Sequence, residues 1–377
     1  MRLIYLSAVP WGSFAQRPHK FVEWFRSRTN GEVLWLDPYP TRFPALADLS
    51  RFQIGAAGGG VTTPSWLRVV QVRAMPIEPL PGSGCLNRVL WRPLLSQAEA
   101  FAAGDDALLV VGKPTLLALQ LMSRLSQCRT LYDAMDDFPA FYRGLSRRAM
   151  ARREQALVRR VDAVWASSSA LARRWQQVRA DAERVCNGLD ASLLPIPRQR
   201  QQRERRVFGY VGTIASWFDW ELVIALAHAR PQDQVRLIGP IYARCPGPLP
   251  ENIELRAPCE HGAALQEMND FDVGLIPFKL STLTAGVDPI KYYEYRALGV
   301  PVLSTAFGEM ALRDGEPGVY LAHGKADLEA AAAAAAMDES PLDVHFAQRN
   351  DWSARFDAAC FTMGFRGGAL KWRGVRP

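Results

Sequence analysis

A lysine and a glutamate stand three residues apart in the segment DPIKYYEYRALGVPVLST, which begins at Asp288. Aspartate followed by proline is typical of a helix start, so we predict a helix from Pro289 to about Leu298 with Asp288 as its N-cap. Lys291 and Glu294 would then share one face near the helix N-terminus. An anion bound there would meet the positive helix end and the lysine ammonium, and the glutamate could accept hydrogen bonds from a ribose diol. A surface ion pair explains the same spacing equally well.

A second candidate for phosphate binding is Gly212 with Thr213, in the segment FGYVGTIASWFDWEL. The apolar residues before Gly212 predict a strand, and a helix is expected to begin near Asp219. Glycine would let backbone amides approach a phosphate, and the Thr213 hydroxyl could donate a hydrogen bond to it. One glycine after a strand is also the ordinary composition of a tight turn, so both interpretations stay open.

Three carboxylates follow another predicted strand: Asp133, Asp136 and Asp137 in TLYDAMDDFPAFY. A single carboxylate placed against a hydroxyl group can act as a general base. The alternatives are a helix N-cap, for Asp136 or Asp137, and a Mg²⁺ site. His19 stands at the start of a predicted helix, where it either touches a substrate or lies exposed to solvent.

The elements that would position these residues alternate between strand-like and helix-like segments in both halves of the chain. Such alternation predicts an α/β protein with parallel sheets and helices on both faces. We expect one Rossmann-like domain over residues 1–194, a polar, proline-containing linker over 195–206 and a second such domain over 207–350. Residues 351–377 should form a C-terminal helix that packs back on the first domain.

Composition and charge narrow the class of protein. With 377 residues, 49% of them hydrophobic, the chain suits two domains of ordinary size. Residues 1–206 hold 30 lysines and arginines against 17 acidic residues, and the remainder holds 15 against 21. With the arginine-rich segment 143–160, this asymmetry suggests contact with anionic lipid or phosphate, although a solvated helix face also explains the arginines. Scattered cysteines, no signal-peptide pattern and no membrane-spanning run predict a cytoplasmic protein.

Several of these segments together resemble the GT-B glycosyltransferases. DPIKYYEYRALGVPVLST is similar to their donor-binding motif, in which a glutamate, small residues and then G-x-P-V bind the nucleotide ribose. GYVGTIASWFDWELV, LIGP and FDVGLIPFK resemble the C-terminal domain of a bacterial branch near glycosyltransferase family 4, which includes teichuronic-acid-type and exopolysaccharide enzymes. QRPHKFVEWF, LYDAMDDFPAF and VDAVWASSSAL fit the same branch, so the resemblance covers residues 16 to about 310.

The resemblance implies the GT-B fold, with two Rossmann-like domains whose parallel sheets face each other across a cleft. The first domain would bind the acceptor and the second the nucleotide-sugar. Family 4 enzymes carry a further glutamate eight residues before the one matched by Glu294, and here that position is Gly286. Lys291 is instead similar to a lysine of the xanthan glucuronosyltransferase group, inverting enzymes that use UDP-sugars and contact the diphosphate with that side chain.

The expected reaction moves a sugar from a nucleotide-sugar, UDP-linked by this resemblance, to a hydroxyl of a glycan or lipid-linked acceptor in cell-surface polysaccharide biosynthesis. The predicted site residues are Asp136 as general base, Gly212, Thr213, Ile214, Asp288, Lys291 and Glu294 on the nucleotide-sugar, and His19 and Asp137 against the acceptor or the sugar. No tightly bound cofactor and no metal are expected, since such enzymes hold the leaving diphosphate mostly with helix dipoles and cations. We expect this hexosyltransferase in the cytoplasm, in peripheral contact with the anionic inner leaflet of the plasma membrane and without a nucleic-acid partner.

Two other functions stay open at this point. One is a noncatalytic sugar-nucleotide or glycan-binding partner of a polysaccharide assembly complex, which the missing family 4 glutamate keeps open. The other is a GT-B-like UDP-sugar epimerase, which would need several catalytic carboxylates and a histidine around the sugar.

Overall fold

The computed structural model describes residues 1–42, 63–80, 82, 84–104, 106–199 and 203–362. These residues form two compact units: Met1–Val185 together with the described residues from Phe356 onward, and Cys186–Arg355. The predicted linker over 195–206 therefore belongs to the second unit as far as it is described.

The first unit contains a seven-stranded parallel sheet with the strand order β3-β2-β1-β4-β5-β6-β7. Its strands are β1 (Arg2–Leu6), β2 (Val33–Leu36), β3 (Leu67–Val70), β4 (Ala107–Val111), β5 (Arg129–Ala134), β6 (Ala163–Ala166) and β7 (Glu183–Arg184). Its helices are α1 (Arg17–Thr29), α2 (Gly84–Leu90), α3 (Arg92–Ala102), α4 (Leu116–Arg124), α5 (Gly144–Val158) and α6 (Ser169–Gln176). Every residue of β2 and β4 is buried, which is why these strands read as continuous apolar runs.

The second unit contains a six-stranded parallel sheet with the strand order β10-β9-β8-β11-β12-β13. Its strands are β8 (Val207–Val211), β9 (Gln234–Ile238), β10 (Ile253–Arg256), β11 (Val273–Ile276), β12 (Val302–Thr305) and β13 (Val319–Ala322). The helices that follow are α7 (Trp220–Ala229), α8 (His261–Asp270), α9 (Ile290–Ala297), α10 (Leu328–Ala336), α11 (Phe346–Arg349) and α12 (Trp352–Thr362). The predicted α/β class with two parallel sheets is confirmed.

The C-terminal helix α12 contains Phe356, where the chain returns to the first unit. The Phe356 ring stacks on Trp165 of β6 with the ring centroids 5.9 Å apart. Asp357 accepts a hydrogen bond from the indole nitrogen of Trp24 at 2.9 Å. Residues 363–377 of the predicted helix lie outside the described residues.

The strand order of each sheet reverses beside its first strand. In the first sheet this happens between β1 and β4, and in the second between β8 and β11. In open parallel sheets, ligands bind beyond the carboxyl ends of the strands near such a reversal. The residues that follow these strands and their neighbours are therefore the ones that can form a site.

No helix in the described ranges combines the length and the apolar character that crossing a membrane requires.

Candidate functional site

Helix α9 carries the two residues whose spacing suggested anion binding. The ammonium of Lys291 donates to Oε2 of Glu294 at 2.7 Å. The ring Nε2 of His261, the first residue of α8, lies 2.8 Å from Oε1 of the same carboxylate. Glu294 is 2% exposed, whereas the side chains of Lys291 and His261 are 24% and 32% exposed. This Lys291–Glu294–His261 cluster therefore places two partly exposed side chains beside a buried carboxylate.

The Glu294 carboxylate is held in its charged form. Burial alone would raise the pKa of Glu294, but Lys291 and His261 together keep that pKa below its ordinary value. Both carboxylate oxygens accept hydrogen bonds, so an incoming ligand must replace one of the partners. If Lys291 turns to an anion, the ring of His261 remains 2.8 Å from Oε1 of Glu294, so the buried carboxylate keeps one of its two partners.

Asp288 is not the N-cap that the sequence predicted. Helix α9 begins at Ile290, and its cap position makes no side-chain hydrogen bond. The Asp288 carboxylate is fully buried and accepts hydrogen bonds from Arg313 Nη2 at 2.7 Å, from the Tyr293 hydroxyl at 2.9 Å and from the backbone amide of Asn187 at 2.8 Å. We assign it an anchoring role before α9 and no contact with a nucleotide.

Gly212 follows β8 in a conformation with φ of 153°, and a Cβ there would lie 2.8 Å from the hydroxyl of Tyr210. That hydroxyl donates to the carbonyl oxygen of Thr213 at 3.0 Å. After the neighbouring strand β9, a Cβ on Gly239 would lie 2.1 Å from the carbonyl oxygen of Gly212. Close packing at the strand ends thus explains both glycines without a ligand.

Thr213 is partly exposed at the end of β8, but Ile214 is a core residue with 0% exposure. The amide of Ile214 donates to the carbonyl oxygen of Pro240 at 2.9 Å, and its own carbonyl accepts from Tyr242 and Ala243. Ile214 therefore supports the loop that carries Thr213, and its side chain has no access to a nucleotide.

The three aspartates after β5 have different surroundings. Asp133 is 0% exposed and accepts hydrogen bonds from Arg17 Nε at 2.9 Å and 3.0 Å, with Nη2 at 2.8 Å. Asp137 accepts from Arg174 Nη1 at 2.7 Å. Asp136 is half-buried, and within the described ranges its carboxylate has neither a hydrogen-bond donor nor an ion-pair partner. Of the three aspartates, Asp136 is therefore the one whose whole carboxylate is unpaired within the described ranges.

The surroundings of Asp136 suit proton transfer. Removal from water raises the pKa of Asp136 to about 7, and the neighbouring Asp137 acts in the same direction against the opposing charge of Arg17. A general base works best when its pKa lies near the working pH. A large fraction of the base is then deprotonated, and it still binds a proton strongly enough to remove one from the substrate. The helix-cap alternative has no support, because Asp137 in the cap position of the 3-10 turn Phe138–Phe141 makes no side-chain cap bond.

His19 lies in the first turn of α1 and is only 4% exposed, so of the two alternatives for this residue the solvent-exposed histidine is wrong. Its Nδ1 accepts from the backbone amide of Gln16 at 3.2 Å, and Nε2 donates to the carbonyl oxygen of Trp11 at 3.1 Å. Burial lowers the pKa of His19, which agrees with a neutral ring between two backbone groups. Both nitrogens are occupied, and we propose no substrate contact for it.

A network behind Asp137 escaped the sequence analysis. Arg174 of α6 also pairs with Oε2 of Glu154 in α5 at 3.0 Å, and Glu154 accepts from the Tyr132 hydroxyl of β5 at 2.6 Å. Burial raises the pKa of Glu154 to about 7 against the opposing charge of Arg174. This network ties the loop that carries Asp136 and Asp137 to two helices.

In the same described ranges, no three His, Cys, Asp or Glu side chains form a group that could hold a metal ion.

The chain is similar to known glycosyltransferases over most of its length, although no protein-family model matches it. TuaH of Bacillus subtilis (strain 168), named as a glycosyltransferase of teichuronic acid biosynthesis, is 24% identical over 333 residues, which are 80% of each chain. Sucrose-phosphate synthase from Thermosynechococcus elongatus has a TM-score of 0.68 at 15% identity, covering 96% of this chain and 98% of that one. HepE of Anabaena in complex with UDP-glucose has a TM-score of 0.64 at 14% identity, covering 97% and 99%. The chain therefore has the GT-B fold that its sequence predicted, and it is similar in sequence to a glycosyltransferase.

Proposed function

We propose that the chain transfers a sugar from a UDP-sugar to a hydroxyl group of a lipid-linked glycan during assembly of a cell-surface polysaccharide. The observation that carries this proposal is the Lys291–Glu294–His261 cluster at the start of α9. The relative TuaH, named for teichuronic acid biosynthesis, supports the surface polysaccharide, and the HepE complex with UDP-glucose supports the UDP-linked donor.

Lys291 binds the diphosphate of the donor. The lysine lies in the first turn of α9, so its ammonium and the positive end of the helix act on the same anion. Donor binding moves the ammonium from Glu294 to the diphosphate, and the freed carboxylate oxygen accepts a ribose hydroxyl. One charge-assisted hydrogen bond replaces another, so little free energy is lost in the exchange. Gly212 and Thr213, both partly exposed residues, border the nucleotide.

Asp136 is the general base on the acceptor. It takes the proton of the acceptor hydroxyl as that oxygen attacks the anomeric carbon of the sugar. The bond from this carbon to the diphosphate oxygen breaks, and UDP leaves with the electron pair. Lys291 stabilises the charge that grows on the leaving diphosphate. A single displacement inverts the configuration of the sugar, in agreement with Gly286 at the position of the family 4 glutamate.

The acceptor is reached at the inner face of the plasma membrane. Helix α5 has no acidic residue in its first turn, although the positive helix end favours one there. At and near this end lie four exposed arginines, Arg143, Arg147, Arg148 and Arg152. Phe141 and Leu145 beside them are 48% and 58% exposed. Cations interleaved with apolar side chains fit peripheral contact with an anionic leaflet.

Lys291→Ala is expected to remove most of the thermal stabilisation that UDP confers on the wild type. Ligand binding to the folded state raises the melting temperature, and a lost hydrogen bond to a charged group costs about 1.5–3 kcal/mol, or roughly 10- to 150-fold in affinity. The measurement compares melting curves and calorimetric titrations with UDP, GDP, ADP and TDP.

Lys325→Ala is the matched control, because this lysine is 63% exposed and, among the described residues, pairs only with the exposed Glu221 at the surface. It should bind UDP as the wild type does. A wild type that binds none of the four nucleotides, or a Lys291→Ala variant with unchanged UDP affinity, would contradict the proposed donor site.

A further inference from the structure

His261 has no role in the mechanism proposed above, although it belongs to the Lys291–Glu294–His261 cluster. It is the first residue of α8, and the buried residues of that helix follow it at helical spacing: Ala264, Leu265 and Met268. The core cluster that contains these residues also contains buried residues of α9. The packing of α8 against α9 therefore directs His261 towards the helix that carries Glu294.

The ring of His261 acts as a hydrogen-bond donor. Burial would raise the pKa of Glu294, but Lys291 and His261 keep that pKa below its ordinary value, so the carboxylate is charged. A charged carboxylate can only accept hydrogen bonds. The proton of this contact therefore lies on Nε2 of His261, 2.8 Å from Oε1. A neutral ring is sufficient for this contact.

The two partners of Glu294 bind different oxygens from different helices. Lys291 of α9 donates to Oε2 at 2.7 Å, and His261 of α8 donates to Oε1. In the proposed reaction Lys291 moves to the donor diphosphate, which frees Oε2 for a ribose hydroxyl. Glu294 is 2% exposed, and a buried carboxylate without a partner costs free energy. His261 is the partner that stays in place during this exchange.

We propose that His261 is a positioning residue, which holds the charged Glu294 carboxylate in place for a ribose hydroxyl while Lys291 binds the diphosphate. The inference rests on the proposed function, since it concerns the specificity of the same donor site. Without the His261 donor, Glu294 would either keep Lys291 or take up a proton. In both cases the ribose hydroxyl loses its charged acceptor, so the preference of the site for ribonucleotides depends on His261.

The test is calorimetric titration of the whole chain with UDP and with dideoxyuridine diphosphate, which lacks both ribose hydroxyls. The wild type should bind UDP about 10-fold or more tightly than the analogue, because the analogue cannot form the hydrogen bond to the charged carboxylate. In His261→Ala the ratio of the two affinities should fall towards one. A residue that only supports the fold would weaken both nucleotides equally and leave this ratio unchanged.

Two matched substitutions separate the hydrogen bond from the ring. The amide nitrogen of glutamine can reach the place of Nε2, so His261→Gln should restore most of the ratio. Asparagine is also an amide but is one carbon shorter, so His261→Asn should behave as His261→Ala does. His228, an exposed histidine of α7 in the same unit, supplies the surface control, and His228→Ala should keep the ratio of the wild type.

Three results would overturn the inference: equal binding of both nucleotides by the wild type, an unchanged ratio in His261→Ala, or a His261→Gln variant as defective as His261→Asn. Melting curves report whether each variant is folded, and if His261→Ala is unfolded, the comparison of His261→Gln with His261→Asn decides. UDP binding that depends on Lys291, with a ratio that does not depend on His261, rejects the role of His261 alone. A wild type that binds no UDP rejects the donor site itself.

Discussion

Asp136→Asn is expected to lower the rate of sugar transfer by about 10²- to 10⁴-fold while UDP binds as it does to the wild type. The amide keeps the shape of the carboxylate but cannot accept the proton of the acceptor hydroxyl. Since the Asp136 carboxylate has no partner within the described ranges, its replacement breaks no hydrogen bond or ion pair, and the variant should stay folded. Initial rates of UDP release and calorimetric UDP titrations give the two quantities.

The pH dependence of transfer provides a second readout of the same base. Because the pKa of Asp136 is raised to about 7, kcat/KM should rise as the pH increases towards 7 and level off above it. An ordinary aspartate would show this limb near pH 4. Asp137→Asn should move this limb to lower pH without abolishing transfer, because it removes a neighbouring charge that helps to raise the pKa of Asp136. Unchanged transfer by Asp136→Asn would contradict the assignment of the base.

Asp133→Ala is expected to lower the free energy of unfolding of the first unit by about 3–5 kcal/mol, because it leaves a buried charge without its partner. Arg17 is 1% exposed, and besides Asp133 it donates to the carbonyl oxygen of Val185 at 2.8 Å. The measurement is hydrogen exchange in increasing urea, read from peptides of β1 and β5, which separates the first unit from the second.

Two control variants test whether the loss of stability comes from the buried ion pair. Asp181→Ala removes the exposed partner of Arg179, with 63% exposure of the carboxylate, and should cost less than about 1 kcal/mol. The double variant Arg17→Met with Asp133→Leu should recover much of the loss, because apolar residues can replace a buried pair. A single variant as stable as the wild type would show that the pair does not hold β5 in place.

The strands could be predicted from the sequence because parallel strands buried on both faces leave continuous apolar runs. The boundary of α9 was predicted less well, since the Asp288 and Pro289 pattern matches a helix start. The carboxylate instead pairs with Arg313, which lies 25 residues further along the chain. A local pattern shows which cap is possible, but a distant arginine can offer a charged residue a stronger partner.

The aspartates after β5 show the same limit for the site. Asp133, Asp136 and Asp137 look alike in sequence, and they differ only through Arg17, 116 residues away from Asp133, and Arg174, 37 residues away from Asp137. The sequence therefore located the carboxylates but could not separate structural from available ones without the resemblance. His261 was missed as the partner of Glu294 for the same reason, since 33 residues separate them.

The most direct test of glycosyl transfer incubates the chain with individual labelled UDP-sugars and a bacterial lipid extract, and follows label in the lipid phase together with free UDP. The predicted result is transfer from at least one UDP-sugar with equal amounts of labelled lipid and UDP, lost in both Asp136→Asn and Lys291→Ala. A chain that binds UDP but transfers no sugar from any UDP-sugar would contradict the proposed reaction and favour a noncatalytic binding partner of the assembly machinery.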